Sequence, residues 1–190
     1  MGTKFQRIGA VQRIKAGPSR IKRFGHLALN VADVQTTLEW YHARFGLIAS
    51  DWINLAPGMP VGVFTRCDKG AEPADHHSIL IASALGAGGA TGLNHVSWEV
   101  CDIDDVHAGS DHLKAKGRRL EWGIGRHLLG SQVFDYWRDP WGRIHEHWTD
   151  GDQLDASVPA GDNTIDVAAA SQWGPNPPST FGRTIAPDAE

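Results

Sequence analysis

The chain has 190 residues and a formal net charge of -4, which favours one domain or two small modules and leaves no electrostatic footprint for nucleic acid. Hydrophobic residues make up 41% and charged residues 21%, so a packed core is available and global disorder is excluded. Two cysteines, Cys67 and Cys101, make no disulfide framework and are expected as buried free thiols in a reducing compartment.

Residues 1–20 are polar and basic, without firm periodicity, and are expected as an arm or one irregular strand. MGTKFQRIGA has no apolar signal region, and no run approaches the ~18 apolar residues of a membrane span, so the cytoplasm is the expected location. A first module covers residues 21–83. FGHLALNV alternates as a strand does. Asp33 can cap a helix from Val34 to Phe45, with Leu38, Tyr41 and Phe45 on its buried side and Gly46 at its end. LIASDW, VGVFTRC and HSILIAS follow as strands. The linker ALGAGGATG is glycine-punctuated and expected to be flexible. A second module covers residues 93–149. LNHVSWEV is its first strand, Asp102 or Asp104 can begin a helix reaching Lys116, and RRLEWG, QVFDYWRD and RIHEHWT complete it. Asp139 to Gly142, DPWG, is a turn. The tail, residues 151–190, has little element signal. Trp173 and Phe181 are its anchors, expected to pack on the body or on a neighbouring subunit.

The two modules share more than element order. His26 opens HLALNVAD and His95 opens HVSWEVCD. Both have Val five residues on (Val31, Val100), Asp seven on (Asp33, Asp102) and a β-branched residue next (Val34, Ile103), which points to internal duplication. The expected class is α+β: paired β-α-β-β-β modules whose sheets curl around a central site. In the first strand, His26, Ala28 and Asn30 share one face, while Leu27, Leu29 and Val31 share the other. In the last strand, Glu146 shares a face with Ile144 and Trp148. A buried carboxylate among apolar neighbours is costly unless paired or metal-bound. Two histidines and one carboxylate suit a non-haem Fe(II) site with open coordination positions. The residues alone also allow a solvent-facing Glu146 with hydrogen-bonded core histidines.

The chain resembles the type I extradiol catechol dioxygenases of the vicinal-oxygen-chelate superfamily, above all their iron-bearing domain and their small one-domain, 2,3-dihydroxybiphenyl dioxygenase-like members. The resemblance runs over residues 21–182 and is strongest in GRHLLGSQVFDYWRDPWGRIHEHWTDGD, Gly125 to Asp152. Tyr136 follows His127 by nine residues and Glu146 follows Tyr136 by ten, as in the family's signature. The resemblance implies His26, His95 and Glu146 as Fe(II) ligands, with His77 as acid/base. His127 would bind a substrate oxygen or close the pocket, and Tyr136 would donate a hydrogen bond to a substrate oxygen. Leu129 stands where many biphenyl-type members have asparagine. The implied activity is extradiol cleavage of a bicyclic or polycyclic catechol with O2, without nicotinamide or flavin, in a homo-oligomer. Trp52, Trp98, Phe134 and Trp148 are expected pocket walls, Trp40 a weaker one. Asp135 and His147 are candidates to support the ligands. The alternatives are a glyoxalase-like metalloenzyme, which brings a fourth protein ligand, and a metal-free aromatic-ligand-binding protein.

Overall fold

The computed structural model describes residues 9–183 and 185. The first eight residues of the expected arm lie outside the described residues, and residues 9–20 carry neither helix nor strand. In chain order the elements are β1 (Ile21–Val31), α1 (Val34–Phe45), β2 (Leu47–Ala56), β3 (Met59–Cys67), β4 (Ala74–Asp75) and β5 (Ile79–Ser83). They continue with β6 (Gly92–Val100), α2 (Ile103–Ala115), β7 (Arg119–His127), β8 (Val133–Arg138) and β9 (Ile144–Thr149). The tail adds β10 (Gln153–Leu154), β11 (Gly161–Thr164), α3 (Ile165–Ala168) and β12 (Ser171–Trp173).

Both long helices begin on an aspartate. Asp33 accepts a 2.6 Å hydrogen bond from the Thr36 N–H, and Asp102, not Asp104, accepts from the Asp105 N–H. Such a cap stabilises by about 1 kcal/mol. Gly46 (φ 65°) ends α1 in the left-handed conformation that glycine adopts without steric cost. Val34, Leu38 and Tyr41 pack α1 onto Val63 and Ile81 of the sheet. Phe45, expected on that side, is exposed and packs against Trp40 and Tyr41 instead.

Ten strands form one mixed sheet in the order β11-β2-β3-β5-β1-β6-β9-β8-β7-β12. Its inner eight strands are palindromic about the antiparallel β1–β6 junction. On each side, the first strand of a module pairs in parallel with the last, β1 with β5 and β6 with β9. The duplication seen in the sequence is thus a pseudo-twofold relation in the sheet, and it brings the two first strands together.

Alternation along β1 buries His26, Ala28 and Asn30 on the concave face and turns Leu27, Leu29 and Val31 toward the other. Along β9, Ile144, Glu146 and Trp148 are buried while His145 and His147 are half-buried. Three features differ from the expectations or add to them. The glycine-rich linker forms a 3-10 turn at Ala84–Ala87, capped by the Ser83 side chain. Both cysteines are free but exposed, because Cys67 ends β3 and Cys101 follows β6. The tail forms strands at both sheet edges. Its pairing partners are the distant β2 and β7, which no local pattern announces. Two buried arginines hold it. Arg66 donates to the Asp155 and Val158 carbonyls. Arg138, paired with Glu121 at 2.5 Å, donates to the Thr180 and Arg183 carbonyls. No described helix is long and apolar enough to cross a membrane.

Candidate metal centre

His26 on β1, His95 on β6 and Glu146 on β9 come from three adjacent strands. Their candidate ligand atoms all lie within 4.8 Å of one another, and all three residues are buried. His26 Nε2 is 3.3 Å from His95 Nε2 and 2.9 Å from Glu146 Oε2, and His95 Nε2 is 3.9 Å from the same oxygen. Among the described residues, neither Glu146 oxygen has a hydrogen-bond partner of good geometry, so the short approach to His26 lacks the direction of a full hydrogen bond. Burial alone would raise the Glu146 carboxyl, but His26, followed by His127, holds it well below the usual range. Burial pushes His95 down to about 3, leaving a neutral imidazole. Metal binding requires these protonation states. A fully buried carboxylate without a donor is costly, and a divalent cation at the common focus of the three side chains removes that cost. The donor set, two nitrogens and one carboxylate, fits Fe(II) with positions left open.

A directed chain of hydrogen bonds sets the tautomer of His95. The Gly182 carbonyl accepts from Asn30 Nδ2, Asn30 Oδ1 accepts from Asn94 Nδ2, and Asn94 Oδ1 lies 2.9 Å from His95 Nδ1. An amide whose nitrogen is already committed offers only its oxygen, so His95 donates from Nδ1 and keeps the Nε2 lone pair for a metal. Gly25 lets β1 pass Trp148, whose Nε1 would lie 2.3 Å from any Cβ there.

The sheet curls around a cavity of about 370 Å³ lined by His26, His77, His95, His127 and Tyr136, with Phe64, Leu80, Trp122, Leu129 and Phe181 among its apolar walls. Among the described residues, no Lys, Arg, Asp or Glu lines it. The His77 ring lies 4.0 Å from that of His26, centre to centre. His127 Nε2 is 2.9 Å from the Tyr136 hydroxyl and 3.8 Å from Glu146 Oε1. Burial, reinforced by the Glu146 charge, raises Tyr136 well above the usual phenol range, which keeps its proton available for donation.

None of the five expected aromatic walls lines the cavity. Trp52 packs with the α1 cluster, Trp98 faces Phe24 on the side of β6 opposite His95, and Trp40 lies on α1. Phe134 sits behind Trp122 at 4.4 Å, and Trp148 lies under Gly25. Asp135 and His147 do not support the ligands. Asp135 accepts from Trp137 Nε1, and His147 Nδ1 faces Ser19. Alternation places both on the strand faces opposite Tyr136 and Glu146. Sequence reasoning passed over Asn94, Asn30, Trp122, Asp51 and His76. Three carried a local signal: Asn94 and His76 as neighbours of His95 and His77, and Asn30 by sharing a strand face with His26.

The pseudo-twofold relation also tests for a fourth ligand. Ser97, two residues after His95, pairs with Glu146; Ala28, two residues after His26, pairs with Leu80. The symmetry mate of the carboxylate is therefore an apolar side chain on the cavity wall.

Residues 23–146 match the model of the Glyoxalase/Bleomycin resistance protein/Dioxygenase superfamily. The chain is 35% identical over 177 residues to metapyrocatechase 2 of Cupriavidus necator, covering 92% of this chain and 51% of that protein. It is 27% identical over 137 residues to 3-methylcatechol 2,3-dioxygenase of Pseudomonas putida, covering 66% and 44%. The chain thus spans about half the length of the curated relatives it matches. Among solved structures, the Mn(II)-bound glyoxalase from Novosphingobium aromaticivorans superposes with a TM-score of 0.71 at 26% identity, covering 88% of this chain and 52% of that one. Homoprotocatechuate 2,3-dioxygenase from Arthrobacter globiformis gives 0.70 at 20% identity, covering 88% and 50%, and supports the fold alone.

Proposed function

Since the chain belongs to the Glyoxalase/Bleomycin resistance protein/Dioxygenase superfamily, we propose that it is an Fe(II)-dependent extradiol dioxygenase. It would cleave the ring of an apolar catechol beside the diol and incorporate both atoms of O2. The observation that carries this reading is a three-ligand set opening onto an apolar cavity that also holds His77, His127 and Tyr136. His26, His95 and Glu146 would hold Fe(II), which would supply binding positions for the diol oxygens and dioxygen and the redox path between them.

The side chains of this protein do the rest. His77 takes a proton from the diol and later returns one. Burial and the neighbouring His26 keep its ring neutral and ready to accept. Tyr136 donates to the diol oxygen that gains charge, and His127 orients that phenol. The absence of charged wall residues favours an uncharged ring over a carboxylated one. The volume lies at the small end of ligand cavities and suits one or two rings. Leu80 at the mate position of Glu146 disfavours the four-ligand, glyoxalase-like alternative. We further place the chain in the cytoplasm as a homo-oligomer, with residues 21–150 as one catalytic unit and residues 151–190 as its tail.

The test is oxygen uptake and visible absorbance after anaerobic Fe(II) loading, with catechol, 3-methylcatechol, 2,3-dihydroxybiphenyl, 1,2-dihydroxynaphthalene and 3,4-dihydroxyphenylacetate. Uptake stoichiometric with a yellow ring-opened product, best for the uncharged substrates, is expected. His26→Ala and Glu146→Ala should retain the fold and lose iron. A wild-type chain that binds no iron sinks the assignment.

A further inference from the structure

Next to His77 lies a second histidine that the reaction above does not use. His76 and His77 are both buried, and their Nδ1 atoms lie 3.0 Å apart. At its other end, His76 Nε2 is 2.6 Å from Asp51 Oδ2. The remaining Asp51 oxygen accepts a 2.7 Å hydrogen bond from Asn163 Nδ2 on tail strand β11. The close approach of β11 depends on Gly161, where a Cβ would lie 2.0 Å from Asp51 Oδ1. Phe64 packs against both imidazoles, with ring centres 5.3 and 4.8 Å away.

These contacts have a direction. A carboxylate only accepts, so Asp51 holds the His76 proton on Nε2. With its single ring proton on Nε2, His76 presents Nδ1 as an acceptor, and only an N–H on His77 Nδ1 can meet it. Which imidazole nitrogen carries the proton is set by the hydrogen bond the other makes. We propose that Asp51, His76 and Asn163 are positioning residues that fix His77 as its Nδ1–H tautomer, leaving the Nε2 lone pair as the base that faces the cavity. Without that acceptor, a neutral histidine prefers the Nε2–H form, which presents a donor to the diol in place of a base. The tail would thereby reach the acid/base group from the far edge of the sheet, through β11. The inference rests on the assignment of His77 as the acid/base.

The tautomer can be read directly. Long-range 1H–15N correlation spectra of the 15N-labelled, metal-free full chain, at about pH 8 where ordinary imidazoles are neutral, separate the two forms of His77. The wild type should show Nδ1–H, and His76→Leu should show Nε2–H. His76→Gln should restore Nδ1–H, because an amide oxygen can take the acceptor role. After Fe(II) loading, His76→Leu should lower kcat about 10- to 100-fold, as loss of an outer orienting partner does, while KM and iron content stay close to wild type. His76→Gln should recover much of the loss. Gly161→Ala, which displaces the Asp51 carboxylate without altering either histidine, should move kcat and the spectrum the same way. A wild-type His77 in the Nε2–H form, with His76 donating from both nitrogens, overturns the proposal. So does a His76→Leu chain that keeps Nδ1–H and wild-type turnover. If the wild type cleaves no catechol at all, the catalytic reading falls, and the spectra still decide whether Asp51 and His76 orient His77.

Discussion

Single residues in this site are informative where burial fixes the direction in which they hold or release a proton. Tyr136 keeps its proton well above neutral pH and lies 2.9 Å from His127, so its contribution is donation. Tyr136→Phe should lower kcat by about 10²-fold, the usual cost of one preorganised donor, with iron content unchanged by chelator assay. Asp135 behaves differently. Burial pushes it up to about 6, against the hydrogen bond from Trp137 Nε1. A carboxyl raised in the folded state adds stability below its unfolded value, ~3.9, and loses that contribution as pH rises through about 6. Asp135→Asn removes the titration. Its stability relative to wild type should therefore grow by about 1–3 kcal/mol between about pH 4 and pH 7 in urea unfolding, because each tenfold change in proton affinity is worth ~1.4 kcal/mol. A constant difference across that range would refute the assignment. Strand alternation made the three ligands candidates at this scale, and the family resemblance assigned them. The orienting asparagines were not legible, since an Asn beside a His has no meaning until a partner is fixed.

At the scale of elements, register does the positioning. Parallel pairing of β6 with β9 sets Glu146 opposite Ser97, and antiparallel pairing of β1 with β6 sets His95 opposite Ala28. A one-residue slip of β9 would turn Glu146 outward and bring His145 or His147 in. The tail enters the same network through the Gly182 carbonyl, which holds Asn30, which in turn holds Asn94. Asn94→Leu should weaken Fe(II) affinity about 10- to 100-fold in competition with a chromophoric chelator, because His95 loses the acceptor that fixes its tautomer. Both long helices were readable to within a residue or two, since Asp33 and Asp102 mark their starts and Gly46 and Gly117 lie at their ends. The strands of the tail were not. β11 and β12 owe their existence to the edges of β2 and β7, far away in the chain.

For the whole molecule, the pseudo-twofold arrangement makes the site a property of both modules, with one histidine from the first and a histidine and carboxylate from the second. Metal binding therefore ties the halves together across the β1–β6 junction. Fe(II) at about 100 times its dissociation constant should add about 2.7 kcal/mol to folding stability, seen as a rise in Tm in anaerobic calorimetry. The rise should be absent in Glu146→Ala. The sequence by itself determined the duplicated β-α-β-β-β order and the helix starts, and it marked His26, His95 and Glu146 as candidates that the family resemblance singled out as metal ligands. The element order and helix starts are written in short-range periodicity, repeated spacing and capping chemistry. Only the tertiary structure decided which aromatic rings wall the cavity, that Leu80 occupies the mate position of Glu146, and that the tail reaches Asp51 and Asn30. Those facts depend on strand register, sheet curvature and edge pairing between distant segments, and such contacts leave no local pattern in the chain.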